Sequence, residues 1–381
     1  PNVNAFEEDL KQFTGDTHEV VALSAGTAAV HLALIVCGVG PGDEVLVQSF
    51  TFCASSHPIT YLGAKPVFVG SEPETWNMDP VLLEEAIKDR IAKIGKKPKA
   101  IVPVALYGMP YDCKRIMEIA DRYDIPVVED AAEGFGSKFD GRILGTFGKF
   151  GVLSFNGNKM ITTSGGGALV CQSAEDKNTV MWYATQARDA YPYYQHTAIG
   201  YNYRMSNICA GIGRGQMMVA QAHIDHHKHV QALYEELLRE VKGVHIHRQP
   251  ADPRYDSNFW LCTATLDADV KVQGQENAYK EVIKTAVGGA VGVIKAVESA
   301  TTDCQPNDNV EALRVFMATN RIETRPVWKP MHKQPVYVDA VVYTNGVEEE
   351  IFKVGFCLPA GPWVTDEDVK YIVEKIKEAI L

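Results

Sequence analysis

Short apolar runs alternate with helix-period patterns from the start of the chain to Asp130. Glu19–Leu23, Glu44–Gln48, Lys65–Val69, Ala100–Leu106 and Pro126–Glu129 read as strands, the last ending at Asp130. Thr27–Cys37, Pro80–Ile94 and Cys113–Tyr123 read as helices between them. The strands are apolar at nearly every position, which suits strands covered on both faces, and repeated β-then-α units imply a mostly parallel mixed sheet between helices. A long helical pattern rich in Ala, Gln, His and Leu runs from Met205 to about Val241. It divides the chain into a large α/β domain, 1–240, and a smaller C-terminal α/β domain, 241–381, closed by an amphipathic helix over Thr365–Leu381. Asp267–Asn309 holds a Gly-Gly-Ala-Val-Gly stretch and reads as an insertion or flexible lobe. No repeat or low-complexity tract is present.

Composition narrows the function classes. At 381 residues, with 46% hydrophobic and 22% charged positions, the chain can bury a large core. Its formal net charge of −11 argues against nucleic acid as a partner. Eight scattered cysteines with no CxxC spacing read as reduced core residues. Ala22–Gly42 carries no Asp, Glu, Lys or Arg, but its Gly and Pro residues place turns at its ends, so a buried helix is expected there rather than a membrane span. No secretory signal is read, and a protein of the bacterial cytoplasm is expected. The chain begins at Pro1 without a methionine, so a preceding segment is expected to be missing.

Candidate chemistry concentrates in Ser154-Phe-Asn-Gly-Asn-Lys159-Met-Ile-Thr-Thr-Ser-Gly-Gly-Gly167, where one lysine sits in an uncharged run. A buried ammonium is costly, and forming an imine with an aldehyde relieves that cost. The alternative places Lys159 at a β-hairpin tip with its head group in water. Gly26 and Thr27, in Ser24-Ala-Gly-Thr-Ala28, open a helix directly after a strand, where free N–H groups favour a phosphate. Asp130, at a strand end, is either a cap or ion-pair partner, or the partner of a pyridine nitrogen. Phe52, after the next strand, is either core or a platform for a flat ring. His223 and His227, four apart on a helix also bearing His226 and His229, suggest a metal site or a solvated face, the latter favoured.

These residues follow the chain order of fold-type I pyridoxal-phosphate enzymes. Over nearly its whole length the chain resembles the DegT/StrS nucleotide-sugar aminotransferase family, in Ser24–Leu34, Pro41–Val69, Glu129–Gly136, Ser154–Gly167, Gly200–Asn207 and Ile322–Val336. Ile-Glu-Thr-Arg-Pro-Val-Trp-Lys-Pro-Met-His332-Lys-Gln-Pro-Val, Thr185-Gln-Ala-Arg188 and the lysine segment make it most similar to the UDP-bacillosamine pathway branch. The resemblance implies that Lys159 holds pyridoxal 5'-phosphate as an imine and that Asp130 pairs with the pyridine nitrogen. Phe52 would stack on the ring, Glu133 would lie near the 3′-oxygen, and Gly26, Thr27 and Ser154 would bind the phosphate. Asn202 would reach the phosphate of a neighbouring subunit, implying a homodimer with shared sites. Arg204, Arg325, Lys329 and His332 would line the sugar-nucleotide side. The family's N-terminal segment is expected to be absent or shortened.

A dehydratase branch of this family replaces the imine lysine with histidine, so Lys159 favours transamination. The expected reaction takes an amino group from glutamate to C4 of a nucleotide-linked 4-keto-6-deoxy sugar, first of all UDP-2-acetamido-2,6-dideoxy-4-keto-hexose. A GDP-perosamine-type enzyme is the alternative within the class, and a catalytically idle regulator on the same fold the alternative outside it.

Overall fold

The computed structural model describes residues 1–279 and 304–381. The strands are β1 (Glu19–Leu23), β2 (Glu44–Gln48), β3 (Lys65–Val69), β4 (Ala100–Val102), β5 (Val128–Asp130), β6 (Lys138–Phe139), β7 (Arg142–Ile143), β8 (Phe150–Ser154), β9 (Gly167–Cys171), β10 (Val244–Ile246), β11 (Tyr255–Asp256), β12 (Cys262–Leu266), β13 (Arg325–Pro326), β14 (Val341–Tyr343) and β15 (Gly355–Leu358). Two compact units result, and they interleave along the sequence. Unit 1 takes residues 1–228, 249–260 and 339–348; unit 2 takes 229–248, 261–338 and 349–381.

Unit 1 is built on two hydrogen-bonded sets, β14-β3-β2-β4 and β1-β9-β8-β5. Parallel bridges Ile101↔Val127 and Val104↔Asp130 join β4 to β5, so the two sets continue one another. The pairs from β14 through β8 are parallel, β9 is antiparallel to both its neighbours, and β1 therefore runs with the rest. Every residue of β2, β8 and β9 is buried, as expected of a sheet covered on both faces. The carboxyl ends of β1, β2, β5 and β8 consequently share one edge with the amino end of β9. That edge receives ligands in sheets of this kind.

The helices follow their local signals. Pro80–Ile94 starts at Asp79, whose side chain accepts from the Val81 N–H, and stops at Gly95 in the left-handed conformation. Cys113–Tyr123 is capped by Asp112. Gly26–Val36 buries eight of its residues, so the uncharged Ala22–Gly42 window is centred on a buried helix, with exposed residues toward its ends. No helix among the described residues is long and apolar enough to cross a membrane. The expected continuous helix from Met205 to Val241 is two helices, Asn207–Met217 and Ala220–Leu237.

Unit 2 pairs β10-β12-β15-β13, all antiparallel. Its core gathers Val230, Tyr234, Leu266, Leu313, Phe356 and Ile376, among others, from that sheet and its helices. The terminal helix Asp366–Ala379 opens with a reciprocal capping box between Thr365 and Asp368. Of the expected lobe Asp267–Asn309, residues 280–303 lie outside the described residues. No disulfide is formed among the described residues.

Candidate active site

The shared edge of unit 1 collects the loops that follow β1, β2, β5 and β8. Helix Gly26–Val36 begins directly after β1 with no side-chain cap, so its first N–H groups stay available to an anion. Gly26 and Gly167 are glycines for want of room. A Cβ on Gly26 would stand 3.0 Å from Ser154 Cβ, and one on Gly167 would stand 2.4 Å from Gly26 N. Ser154, the last residue of β8, therefore lines the helix start, with Thr27 beside it on the first turn.

Asp130 ends β5 almost fully buried. Ser55 donates to its Oδ2 at 2.6 Å and the Ala132 N–H to its Oδ1 at 3.1 Å. Thr51 lies 2.8 Å from Ser55 and supplies the proton for that contact, since Ser55 spends its own on the carboxylate. Burial pushes the Asp130 carboxyl up, while Ser55, the Ala132 N–H and the charge of Lys159 draw it back down. Two donors leave carboxylate lone pairs for a third, and a protonated pyridine nitrogen is a suitable one. Phe52 is half exposed, immediately before the Cys53–Ser55 turn that positions Ser55.

Lys159 lies on the connection from β8 to β9. The hairpin topology of the alternative reading is present, but the head group is not in water: the side chain is 13% exposed. Its Nζ stands 3.7 Å from Glu133 Oε1 and 4.2 Å from the centre of the Trp260 ring. Glu133 is buried, and its Oε2 accepts from the Tyr107 N–H at 2.7 Å. The Trp260 indole donates to the Asn158 carbonyl at 2.7 Å, tying the aromatic plate to the loop that carries the lysine. Sequence reasoning missed Ser55, Tyr107 and Trp260. The small polar run Cys53–Ser56 after a strand hints at the first; nothing local announces the other two.

Asn202 is exposed on a segment bridged to Thr185. Arg204 is held within unit 1: it pairs with Glu7, and its Nη1 donates to the Ala22 carbonyl at 2.8 Å. In unit 2, Arg325 is exposed and its Nε donates to Glu323 at 2.8 Å. His332 is buried, its Nε2 3.0 Å from Glu349 Oε1, and Lys333 reaches the same carboxylate at 3.2 Å. Burial works against the Glu349 charge, but His332 and Lys333 outweigh it and hold the carboxyl below its usual range. Lys329 is half buried, two residues after Val327, and its carbonyl accepts from Gln334. His223 and His227 each spend a ring nitrogen on a backbone carbonyl, and no group of three or more metal-ligating side chains is assembled among the described residues.

Few chemistries need a lysine amine kept from water at a sheet edge that also offers an anion cradle and a buried carboxylate. Binding pyridoxal phosphate needs all three, and the strand order around them is that of a fold-type I enzyme domain. The chain belongs to the DegT/DnrJ/EryC1/StrS aminotransferase family, which matches residues 1–298 and 292–377. It is 39% identical to EpsN of Bacillus subtilis (strain 168), a candidate pyridoxal phosphate-dependent aminotransferase, over 98% of this chain and 87% of that protein. It is 34% identical to GDP-perosamine synthase of Escherichia coli O157:H7, over 98% and 90% of the two chains. A DegT DnrJ EryC1 StrS aminotransferase from Brucella abortus superposes with a TM-score of 0.83 at 26% identity, covering 99% of this chain and 90% of that one. The cofactor is pyridoxal phosphate and the reaction class is transamination, and the relatives include a UDP-2-acetamido-2-deoxy-3-oxo-D-glucuronate aminotransferase of Pseudomonas aeruginosa, 35% identical over 63% of this chain and 65% of that protein.

Proposed function

We propose that the enzyme moves the amino group of glutamate onto C4 of a nucleotide-linked 4-keto-6-deoxy sugar, with UDP-2-acetamido-2,6-dideoxy-4-keto-hexose as the first choice. The observation that carries this reading is Lys159, whose amine is drawn out of water between Glu133 and Trp260 at the edge that also presents Asp130. Bound pyridoxal phosphate supplies an aldehyde that exchanges amines and a ring that withdraws electrons from the amine-bearing carbon. Lys159 Nζ takes the proton from Cα of glutamate and returns one to C4 of the sugar. The Asp130 carboxylate, oriented by Ser55 and the Ala132 N–H, holds the proton of the pyridine nitrogen. The N–H groups opening helix Gly26–Val36, with Thr27 and Ser154, take the phosphate, and Phe52 covers the ring.

The same reading makes the enzyme a homodimer in which Asn202 serves the phosphate of the neighbouring subunit. Its support is the exposed apolar surface carried between 191 and 218: Tyr194 is 77% exposed, Ile199 84%, Ile208 79% and Met218 87%. Arg325, Lys329 and His332 serve the nucleotide-sugar side, whereas the Glu7 pair gives Arg204 a packing role as well. A second reading, a GDP-sugar acceptor, is favoured by the similarity to the GDP-perosamine synthase along the whole chain.

The test is product formation from glutamate with a panel of UDP- and GDP-4-keto-6-deoxy sugars, each product identified by mass and by NMR of the carbon bearing the amine. A C4 amine on the UDP sugar supports the first reading, and one on the GDP sugar alone transfers the assignment to the second. Amination at C3, or none with any 4-keto sugar, would overturn both.

A further inference from the structure

Helix Ala220–Leu237 carries four histidines for which the reaction above has no use. His223 and His227 lie one turn apart on one face, as chelating residues would, yet each bonds backbone instead. His223 Nδ1 stands 3.2 Å from the Met160 carbonyl, and His227 Nδ1 3.1 Å from the Phe259 carbonyl. A carbonyl can only accept, so both rings carry a proton on Nδ1. Burial pushes the His227 imidazole down to about 4, so it stays a neutral donor at working pH.

The two carbonyls belong to the neighbours of the residues that meet at the site. Met160 follows Lys159, and Phe259 precedes Trp260. Lys159 Nζ lies over the Trp260 ring, and the Trp260 indole donates back to Asn158. The bonds thus form a closed circuit: helix, Met160, Lys159, Trp260, Phe259 and helix again. Asn258 extends it. Its Nδ2 donates to the carbonyls of Glu133 and Phe135, each at 2.9 Å, while its Oδ1 accepts from the Trp260 N–H at 2.8 Å. The helix itself is seated firmly, since Ile224 lies between the two histidines and packs where Gly136 has no side chain. A Cβ there would come within 2.4 Å of Ile224 Cδ1.

We propose that His223 and His227 are positioning residues that clamp the backbone on either side of the Lys159–Trp260 contact and so fix where the lysine amine stands for the cofactor aldehyde. The proposal rests on Lys159 being the cofactor lysine. Neither ring is assigned contact with the amine. The gain is entropic, because a lysine side chain loses many rotamers on reaching one productive geometry, and a fixed backbone with an aromatic plate removes most of them beforehand.

The experiment follows cofactor capture by the apoprotein. Pyridoxal phosphate is added to wild type, His223→Leu, His227→Leu, the double variant, and the corresponding Gln variants, which keep an N–H donor. The growth of the visible absorbance band and the circular dichroism within it are recorded, with apoprotein melting as the folding control. Each Leu change should slow capture about 5-fold, the double change by about 10-fold or more, and the dichroism should change sign or size; Gln should restore most of both. Leu variants that melt near wild type and match its capture rate and dichroism would overturn the clamp. If the Leu variants do not fold, Trp260→Phe decides, since it removes the indole donor and should slow capture; a wild-type rate there overturns the proposal. A wild type that never develops a visible band would instead remove the cofactor reading, and the clamp with it.

Discussion

The lysine loop 154–167 and the basic segment 322–336 both stand out in the sequence, and they hold their charges in opposite ways. Lys159 is 13% exposed, and its partners come from remote parts of the chain: Glu133 from the loop after β5 and Trp260 from beyond the helix Ala220–Leu237. Arg325 is 51% exposed and pairs with Glu323, two residues away and itself 61% exposed. An ion pair of that second kind is screened by water and contributes little to stability, whereas a buried amine exists only if the fold supplies partners for it. The lysine proposed to hold the cofactor is therefore kept in place by the architecture of unit 1. Of the residues proposed for the acceptor side, Arg325 is exposed and can change without disturbing the core, whereas His332 is buried against Glu349.

That contrast can be broken in four places, and the expected effects fall in order. Lys159→Ala should lower transamination by about 10⁴-fold by removing the group proposed to move the proton, measured as 2-oxoglutarate release from glutamate. Asp130→Asn should cost about 10³-fold in the same assay with the cofactor still bound, because it removes charge and not the cradle. Equal binding together with unchanged turnover would contradict its assigned role.

Glu129 probes the cost of burying an acid beside the site. Burial pushes its carboxyl up to about 7, despite N–H donors from Gly145, Phe147 and Gly148. The folded protein keeps this proton to a higher pH than the unfolded chain, whose carboxyl loses it near about 4.3, so stability is lost as pH rises between those values. Glu129→Gln should remove that loss, about 4 kcal/mol at its largest. Melting curves at pH 5 and pH 8 should converge for the variant and separate for wild type. Separation in both would assign the pH dependence elsewhere.

The smallest stability effect belongs to unit 2. Arg325→Ala should change unfolding free energy by no more than about 0.5 kcal/mol. If Arg325 serves the nucleotide sugar, the same change should raise the KM for that substrate about 10-fold, as expected for a charged hydrogen bond, and leave the glutamate KM unaltered. A parallel rise in both would place the residue outside the acceptor side.

What the sequence made legible follows the same division. Glu19–Leu23, Glu44–Gln48, Lys65–Val69, Pro80–Ile94 and Cys113–Tyr123 appear at the bounds their patterns imply, because each has uniform apolarity or a clear helical period closed by a cap or turn. The expected strand Ala100–Leu106 ends at Val102, since Pro103 has no N–H and the backbone beyond it leaves the regular ladder. The break at Met218–Val219 carries no Pro or Gly of its own, so periodicity ran through it. At the site, Lys159 announces itself as the one charge in an uncharged run and Asp130 as a carboxylate at a strand end. Trp260 does not, because the Asn158 carbonyl it bonds is 102 residues away, and only the fold brings the two together. The histidine pair shows the reverse case: a spacing that suggests a metal is satisfied by two backbone carbonyls.

The most direct test of the central claim is to load the protein with pyridoxal phosphate, reduce it with borohydride and map the modified peptide by mass spectrometry. The account predicts one pyridoxyl adduct, on Lys159, with none formed when glutamate is added in excess before reduction. An adduct on another lysine, or a protein that carries none, would contradict it.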